Sequence, residues 1–515
     1  MSWDVIVIGS GAAGSVIARR LVETTDASVL VIEAGGPDAH EAIHDPARSH
    51  ELWHVEEDWA YFTVPQRGAA GRRLHLPRGR VLGGCTSTNG MIYIRGWRGD
   101  YDYWAYVGNA GWGYEAVLPL FKRGEDFDGG ASEYRGTGGP LRVQSRYEPH
   151  PLSASFVEAA VQYGIPQNPD HNGARLDGVG LAQFTISDGR RSSAAAAFLG
   201  PVLDSDRLDV RSRVSARRLM FDGKRCVGVE VEHRGEREVL FADAEVVVCA
   251  GAIESPKLLL LSGVGDPRQL QEIGVSARVA LPGVGANLHD HTVTPLIFAC
   301  ERALPPPSTG STPHQAHLFW WSRDGYPAPD LQPLLFNVPL YPDRVTGPAN
   351  AFTLFPGHVR PASRGTVRLT SADPDAPPAV DPGYLTCPAD VDALLAAVRL
   401  CRQIAAQPAI AQWGAREIFP GADVDIDEDL RRYIRRHVVT YHHPVGTCKM
   451  GVDDLAVVDS ELRVYGTSGL RVADASIMPA VTTGNTMAPT NMIGERAADL
   501  IANSLRGAKP QATVP

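Results

Sequence analysis

Asp4 to Ile8 is a short, mostly β-branched run without a polar break, the pattern of a strand buried on both faces of a parallel sheet. Gly9-Ser10-Gly11-Ala12-Ala13-Gly14 follows, then Ser15 to Val22 with spacing that predicts a helix. A second apolar run, Val29 to Ile32, ends at Glu33 and is followed by Ala34-Gly35-Gly36-Pro37. Together these predict a strand–helix–strand unit of about 30 residues. The buried-strand pattern returns at Ala244 to Ala250, which turns at Gly251 into a helix predicted through Leu258 to Leu261. It returns again at Gly469 to Asp474, ahead of a helix predicted from about Met492 to Leu505. Residues 104–123 read as helix, and residues 38–78 as polar, aromatic and irregular. Between 304 and 348, many prolines (among them Pro305, Pro306, Pro307, Pro313, Pro327, Pro329 and Pro333) stand among Phe319, Trp320 and Trp321. That mixture suits irregular walls or strands around a cavity better than a regular core.

The glycines at the first corner each have a mechanical task. Gly9 permits the tight turn, Gly11 lets a pyrophosphate approach the backbone, and Gly14 lets the helix pack close to its strand. The helix start then offers unsatisfied N–H groups and partial positive charge to phosphates. Glu33, 19 residues after Gly14, stands where a carboxylate accepts hydrogen bonds from a ribose, and it disfavours a 2′-phosphate. Pieces of this fold at the start, middle and end predict one discontinuous dinucleotide-binding domain interleaved with a second domain. The expected division is 1–150, 195–295 and 437–515 for the first, and 151–194 and 296–436 for the second.

Composition narrows the class. With 515 residues, 44% hydrophobic and 21% charged, the chain has ample material for more than one core. A net charge of −10, without basic runs beyond pairs such as Arg431-Arg432, argues against nucleic acid. No apolar run reaches the ~18 residues of a membrane span. The seven scattered cysteines form no Cys-x-x-Cys, so neither a disulfide framework nor a zinc knuckle is expected. Without a basic leader ahead of Val5, a signal peptide is disfavoured and a cytoplasmic protein expected. His40-Glu41-Ala42-Ile43-His44 matches a zinc-protease pattern, but it is boxed between Pro37 and Pro46 with no third ligand in place, so no metal is expected. His289-Asp290-His291 reads as a buried hydrogen-bonding segment. There is no Gly-x-Ser-x-Gly elbow for a hydrolase.

Five further stretches resemble the glucose–methanol–choline (GMC) family of flavin oxidoreductases. They are Gly79-Arg80-Val81-Leu82-Gly83-Gly84-Cys85-Thr86-Ser87-Thr88-Asn89-Gly90-Met91, the segment Gly251 to Gly265, Pro282 to His291, Tyr441-His442-His443-Pro444-Val445-Gly446-Thr447-Cys448, and Asp474 to Thr490. They occur in the family's order over nearly the whole chain. The resemblance implies an α/β, GMC-type fold, in which a Rossmann-like FAD-binding domain is interleaved with an α+β substrate-binding domain. It places FAD against Gly9, Gly11, Ala12, Ala13 and Gly14, then Glu33 and Ala34, and then Arg80, Gly83, Gly84, Thr88, Asn89, Gly90 and Met91. Val214, Ala250 and Gly251 follow, with Asp474, Ala475, Asn485, Thr486 and Met487 near the C-terminus. Gly83 and Gly84 would let backbone approach the flavin ring. Relatives with covalent flavin carry histidine where this chain has Thr88, so dissociable FAD is expected.

The resemblance also implies the chemistry. A small-molecule alcohol would pass hydride to flavin N5 and its hydroxyl proton to His443, with Asn485 holding the oxygen. His442, its neighbour, would pack elsewhere. Oxygen is the expected acceptor, with hydrogen peroxide as product; a quinone-type acceptor and a hydroxynitrile-lyase activity are the alternatives. Gln315 aligns where choline-oxidising relatives place a glutamate, which argues against a cationic substrate. Phe319, Trp320, Trp321, Leu334, Leu335 and Phe336 suggest either an apolar or aryl pocket for a primary alcohol or, equally, the filling of the second domain's core.

Overall fold

The structure is a computed structural model and describes residues 2–508. A parallel sheet is built from β1 (Ser2–Ile8), β2 (Val29–Glu33), β3 (Leu208–Ser212), β4 (Glu236–Val248) and β5 (Leu470–Val472), in the spatial order β3-β2-β1-β4-β5. Val5, Ile6 and Val7 are fully buried, which is why no polar residue interrupts the run. β4 is longer than its apolar stretch predicts. Its first half, which is mostly exposed, pairs with an antiparallel hairpin of Ser215–Asp222 and Arg225–His233, while its second half enters the parallel core.

Three helices complete this half: α1 (Ala12–Thr24), α2 (Gly251–Leu261) and α3 (Met487–Ala508). α3 begins five residues earlier than predicted, because Pro489 sits in its first turn, where its missing N–H is not needed. α3 crosses α1 so closely that a Cβ at Gly494 would lie 2.7 Å from the Ala13 carbonyl oxygen. Glu495 on α3, 1% exposed, takes Arg20 from α1 and Arg123 from the helix Tyr114–Gly124. The single helix predicted over 104–123 is in fact two, Arg98–Tyr106 and Tyr114–Gly124, broken in the glycine-bearing turn at Gly108, Gly111 and Gly113.

A second sheet is antiparallel, in the order Arg416–Phe419, Leu296–Ala299, Ala351–Phe355, Leu334–Phe336, Ala316–Phe319, Gly178–Leu181. Its outer face is covered by the helices Pro151–Tyr163 and Pro388–Ala405, whose apolar residues share a separate core with it. A third, smaller cluster, including Met91, Ile92, Val293, Leu334 and Tyr441, lies where the two halves meet.

Candidate active site

One cavity of about 1580 Å³ runs from the first glycine corner to His443. It exceeds the roughly 300–1,000 Å³ of an ordinary small-ligand pocket. Nearly all of the expected cofactor residues line it: Gly9, Gly11, Ala12, Ala13, Glu33, Ala34, Gly84, Thr88, Asn89, Gly90, Met91, Val214, Ala250, Gly251, Asp474, Ala475, Asn485, Thr486 and Met487. Gly14, Arg80 and Gly83 stand behind this wall. Gly83 donates its N–H to Ser10 Oγ at 3.2 Å, and Arg80 lies over the Trp59 ring.

The glycine corner divides its tasks as the sequence predicts. Gly9 has φ +102°, and a Cβ there would meet the Cys249 carbonyl oxygen at 2.5 Å. A Cβ on Gly14 would lie 1.9 Å from the Gly9 oxygen, whereas one on Gly11 meets nothing within 4 Å and would project into open space. The Gly11 and Ala250 positions that precede α1 and α2 make no side-chain cap of their own; α1 leaves its first N–H groups for a ligand, whereas at α2 the first of them, Gly251 N–H, is taken by Asp474. Ser10, which sequence reasoning passed over, clamps the Glu33 carboxylate through its N–H (3.0 Å) and Oγ (2.8 Å), and Gly35 N–H takes the other oxygen. Burial pushes the Glu33 carboxyl up, against those donors and Arg80. Asp474 accepts from Gly251 N–H, Ser255 Oγ and Ser476 N–H, tying the end of β5 to the start of α2.

The open start of α1, a bare glycine backbone and a pre-oriented carboxylate fit the pyrophosphate and ribose of FAD. Gly11→Ala should leave the apoprotein's melting temperature within about 3 °C but weaken FAD retention at least ~10-fold, measured as FAD release on dilution. Gly14→Ala should cost about 3 kcal/mol of apoprotein stability, read from the urea midpoint.

At the far end, His443 is held on three sides. Its N–H donates to Asp290 Oδ1 at 2.7 Å, and Asp290 in turn accepts from Tyr384 and Thr440. Its Nδ1 lies 3.0 Å from Nδ1 of His291, and its Nε2 lies 3.2 Å from Asn485 Nδ2. An amide nitrogen only donates, so His443 Nε2 carries the lone pair and Nδ1 the proton, which goes to His291. Burial first, then His291, His442 and Arg78 nearby, push His443 well below the usual imidazole value. The ring is neutral at pH 7, with a basic nitrogen beside Asn485 on the cavity wall. The hydrogen-bonding role read for His289-Asp290-His291 is therefore specific: two of the three residues orient His443.

Other expectations need correction. His442 has φ +70° and shares the cavity wall, its ring tilted at 51° to that of Trp53 with 5.7 Å between centroids. Gln315 is buried outside the cavity, accepting from His150 N–H at 2.6 Å, so it says nothing about substrate charge. Of the aromatic group, only Leu334 and Phe336 line the cavity; Phe319 and Leu335 fill cores, and Trp320 and Trp321 pack against each other. The apolar wall near His443 comes instead from Met91, Ile92, Val293, Leu334, Phe336, Phe355, Val439 and Tyr441. Among the described residues, the carboxylates on the cavity wall are Glu33, Glu254, Asp343 and Asp474. His40 caps the short helix Glu41–His44 by accepting from Ala42 N–H, and His44 meets the Asp38 carbonyl at 2.8 Å, as in a polar loop.

The family model for GMC oxidoreductases matches residues 3–293 with its N-terminal part and 361–494 with its C-terminal part. The oxygen-dependent choline dehydrogenase of Rhizobium etli is 40% identical over 526 residues, covering 97% of this chain and 96% of its own length. Pyridoxine 4-oxidase from Mesorbium loti superposes with TM-score 0.92 at 34% identity, covering 96% of this chain and 98% of the other. A fungal aryl-alcohol oxidase shares the fold, with TM-score 0.85 at 24% identity, covering 98% of this chain and 99% of the other. The chain belongs to the GMC oxidoreductase family and is an FAD-dependent oxidoreductase acting on alcohol-type CH–OH donors.

Proposed function

We propose that this enzyme oxidises an aromatic or apolar primary alcohol to its aldehyde and passes the electrons to oxygen, giving hydrogen peroxide. The observation that carries the reading is the unprotonated His443 Nε2 beside Asn485, in a cavity whose wall includes the apolar Val293, Leu334, Phe336, Phe355 and Tyr441.

Bound FAD supplies the two-electron acceptor. Gly11, Gly84 and the start of α1 would hold its pyrophosphate, Glu33 its ribose, and Thr88 to Met91 with Asn485 to Met487 its ring. Thr88 offers a hydroxyl rather than an imidazole, so the cofactor is non-covalent in this reading. His443 Nε2 takes the alcohol proton, and the Asn485 amide orients the oxygen without competing for that proton. Asp290 and His291 keep the imidazole in the one orientation and tautomer that can act. The apolar wall excludes water, which strengthens both hydrogen bonds. A cytoplasmic location is part of this reading, supported by seven cysteines that are all unpaired.

The likeness to pyridoxine 4-oxidase favours a heteroaromatic alcohol, and that to choline dehydrogenases favours choline as a second reading. Anaerobic bleaching of the yellow enzyme by benzyl alcohol, pyridoxine and choline separates them. The expected result is kcat/KM at least ~10-fold higher for an aromatic alcohol than for choline, with stoichiometric peroxide under air. Faster bleaching by choline would establish the second reading.

A further inference from the structure

Asn485 does its work only if its amide faces one way, and nothing in Asn485 itself decides this. The residue that does is Gln332, on the loop before the strand Leu334–Phe336. Its side chain is fully buried, and its Nε2 lies 3.0 Å from Asn485 Oδ1 and 3.3 Å from His317 Nδ1. Its backbone is fixed by its N–H to the Gly357 carbonyl at 2.9 Å and by Tyr441 OH to its own carbonyl at 3.3 Å.

We propose that Gln332 is a positioning residue: by donating to Asn485 Oδ1 it turns the Asn485 amide nitrogen toward His443, and so keeps the lone pair on Nε2. The proposal rests on the reading of His443 as the base. The chain of contacts has one consistent polarity. A single Gln332 amide group serves two acceptors, Asn485 then has only its own nitrogen left for His443, and His443 Nδ1 must donate to His291. Reverse the first link and every later one reverses. An acceptor at 332 draws the Asn485 nitrogen to itself, Asn485 presents Oδ1 to His443, and the proton moves to Nε2, where the base is blocked. His317 is kept neutral by burial, so it accepts from Gln332 without adding charge.

The titratable groups around this position are few. His317 and Tyr441 face the Gln332 side chain and backbone, and His443 stands beyond Asn485. His358 pairs with neighbouring Leu331, and Asp330 is taken by Ser322. The test follows from shape and polarity together. Gln332→Glu is nearly isosteric, but its carboxylate only accepts, while its protonated form donates as the amide does. Burial raises the carboxyl pKa toward neutrality.

Gln332→Glu should retain FAD and a KM for alcohol within about threefold. Its rate of anaerobic flavin reduction should fall at least ~10-fold at pH 8.5 and recover on acidification to pH 6.5, whereas the parent's rate is nearly flat over that range. A loss equal at all pH values, or no loss, would overturn the proposal. Gln332→Met, which keeps the volume and removes the donor, should lower the reduction rate about tenfold without the acid recovery; an unchanged rate there would overturn it independently. A failure of the His443 reading is distinct, because it shows in His443 variants whatever happens at 332.

Discussion

Replacing His443 by alanine is expected to give yellow, folded protein whose anaerobic reduction by its best alcohol is slower by 10²–10⁴, the range of a positioned general base. The backbone N–H holds the residue to Asp290, while the ring itself meets His291, Asn485 and Tyr441, so truncation leaves the Asp290 anchor in place. The cost therefore falls on the chemical step rather than on folding. Both kcat and kcat/KM should drop, with FAD content unchanged. The pH dependence of the parent supplies the second half of the test. Because burial and the neighbouring His291, His442 and Arg78 disfavour the imidazolium, the base stays neutral well below an ordinary histidine. Its reduction rate should therefore be nearly flat from pH 8 down to pH 6, where an unperturbed imidazole would already have lost most of its basic form. Full activity in His443→Ala, or a rate falling with a midpoint near 6.5, would remove His443 from the role assigned to it.

How much of this could be read along the chain depended on whether a residue's task was local. Gly9, Gly11 and Gly14 act through their own backbone geometry and the next turn of chain, so spacing alone assigned each its part. His443 was legible because its flanking motif survives intact. Gln332, Ser10 and Arg78 were invisible for the opposite reason. Gln332 lies 153 positions from Asn485 and gives no periodic or motif signal, and its role exists only once the two halves meet. Arg78 likewise works by donating to the His442 carbonyl, 364 positions away. The aromatic cluster misled because composition records which side chains are apolar but not which face of a strand they occupy. Phe319 and Phe336 lie on neighbouring strand pairs, yet one fills a core and the other lines the cavity. Gln315 failed in the same way, its alignment one position from His314, which does reach the wall.

The site's dependence on neutral, buried imidazoles has a consequence for stability. His171, His289, His291, His314, His317, His442 and His443 are all pushed below the ordinary value by burial, with His171 and His314 near 4 and His291 and His442 near 3. Each binds a proton in the unfolded chain below about pH 6.5 and not in the folded one, so folding stability must fall as the pH drops through that value toward 4. Each contributes about 1.4 kcal/mol per pH unit in that window. Four buried carboxyls, Glu33, Asp100, Asp290 and Asp474, are pushed up by burial and so take up protons in the folded state at a higher pH than in the unfolded chain, which offsets part of the loss. The net slope is on the order of 4–10 kcal/mol per pH unit, against total stabilities of about 5–15 kcal/mol. Urea midpoints should therefore be nearly constant from pH 8 to 7 and collapse between pH 6 and 4.5, with uptake of at least three protons per molecule on unfolding. Net charge argues the other way, since acidification moves the chain from −10 toward zero and relieves self-repulsion. A midpoint that holds or rises down to pH 5 would mean that those histidines are already charged in the folded protein, and with them the base.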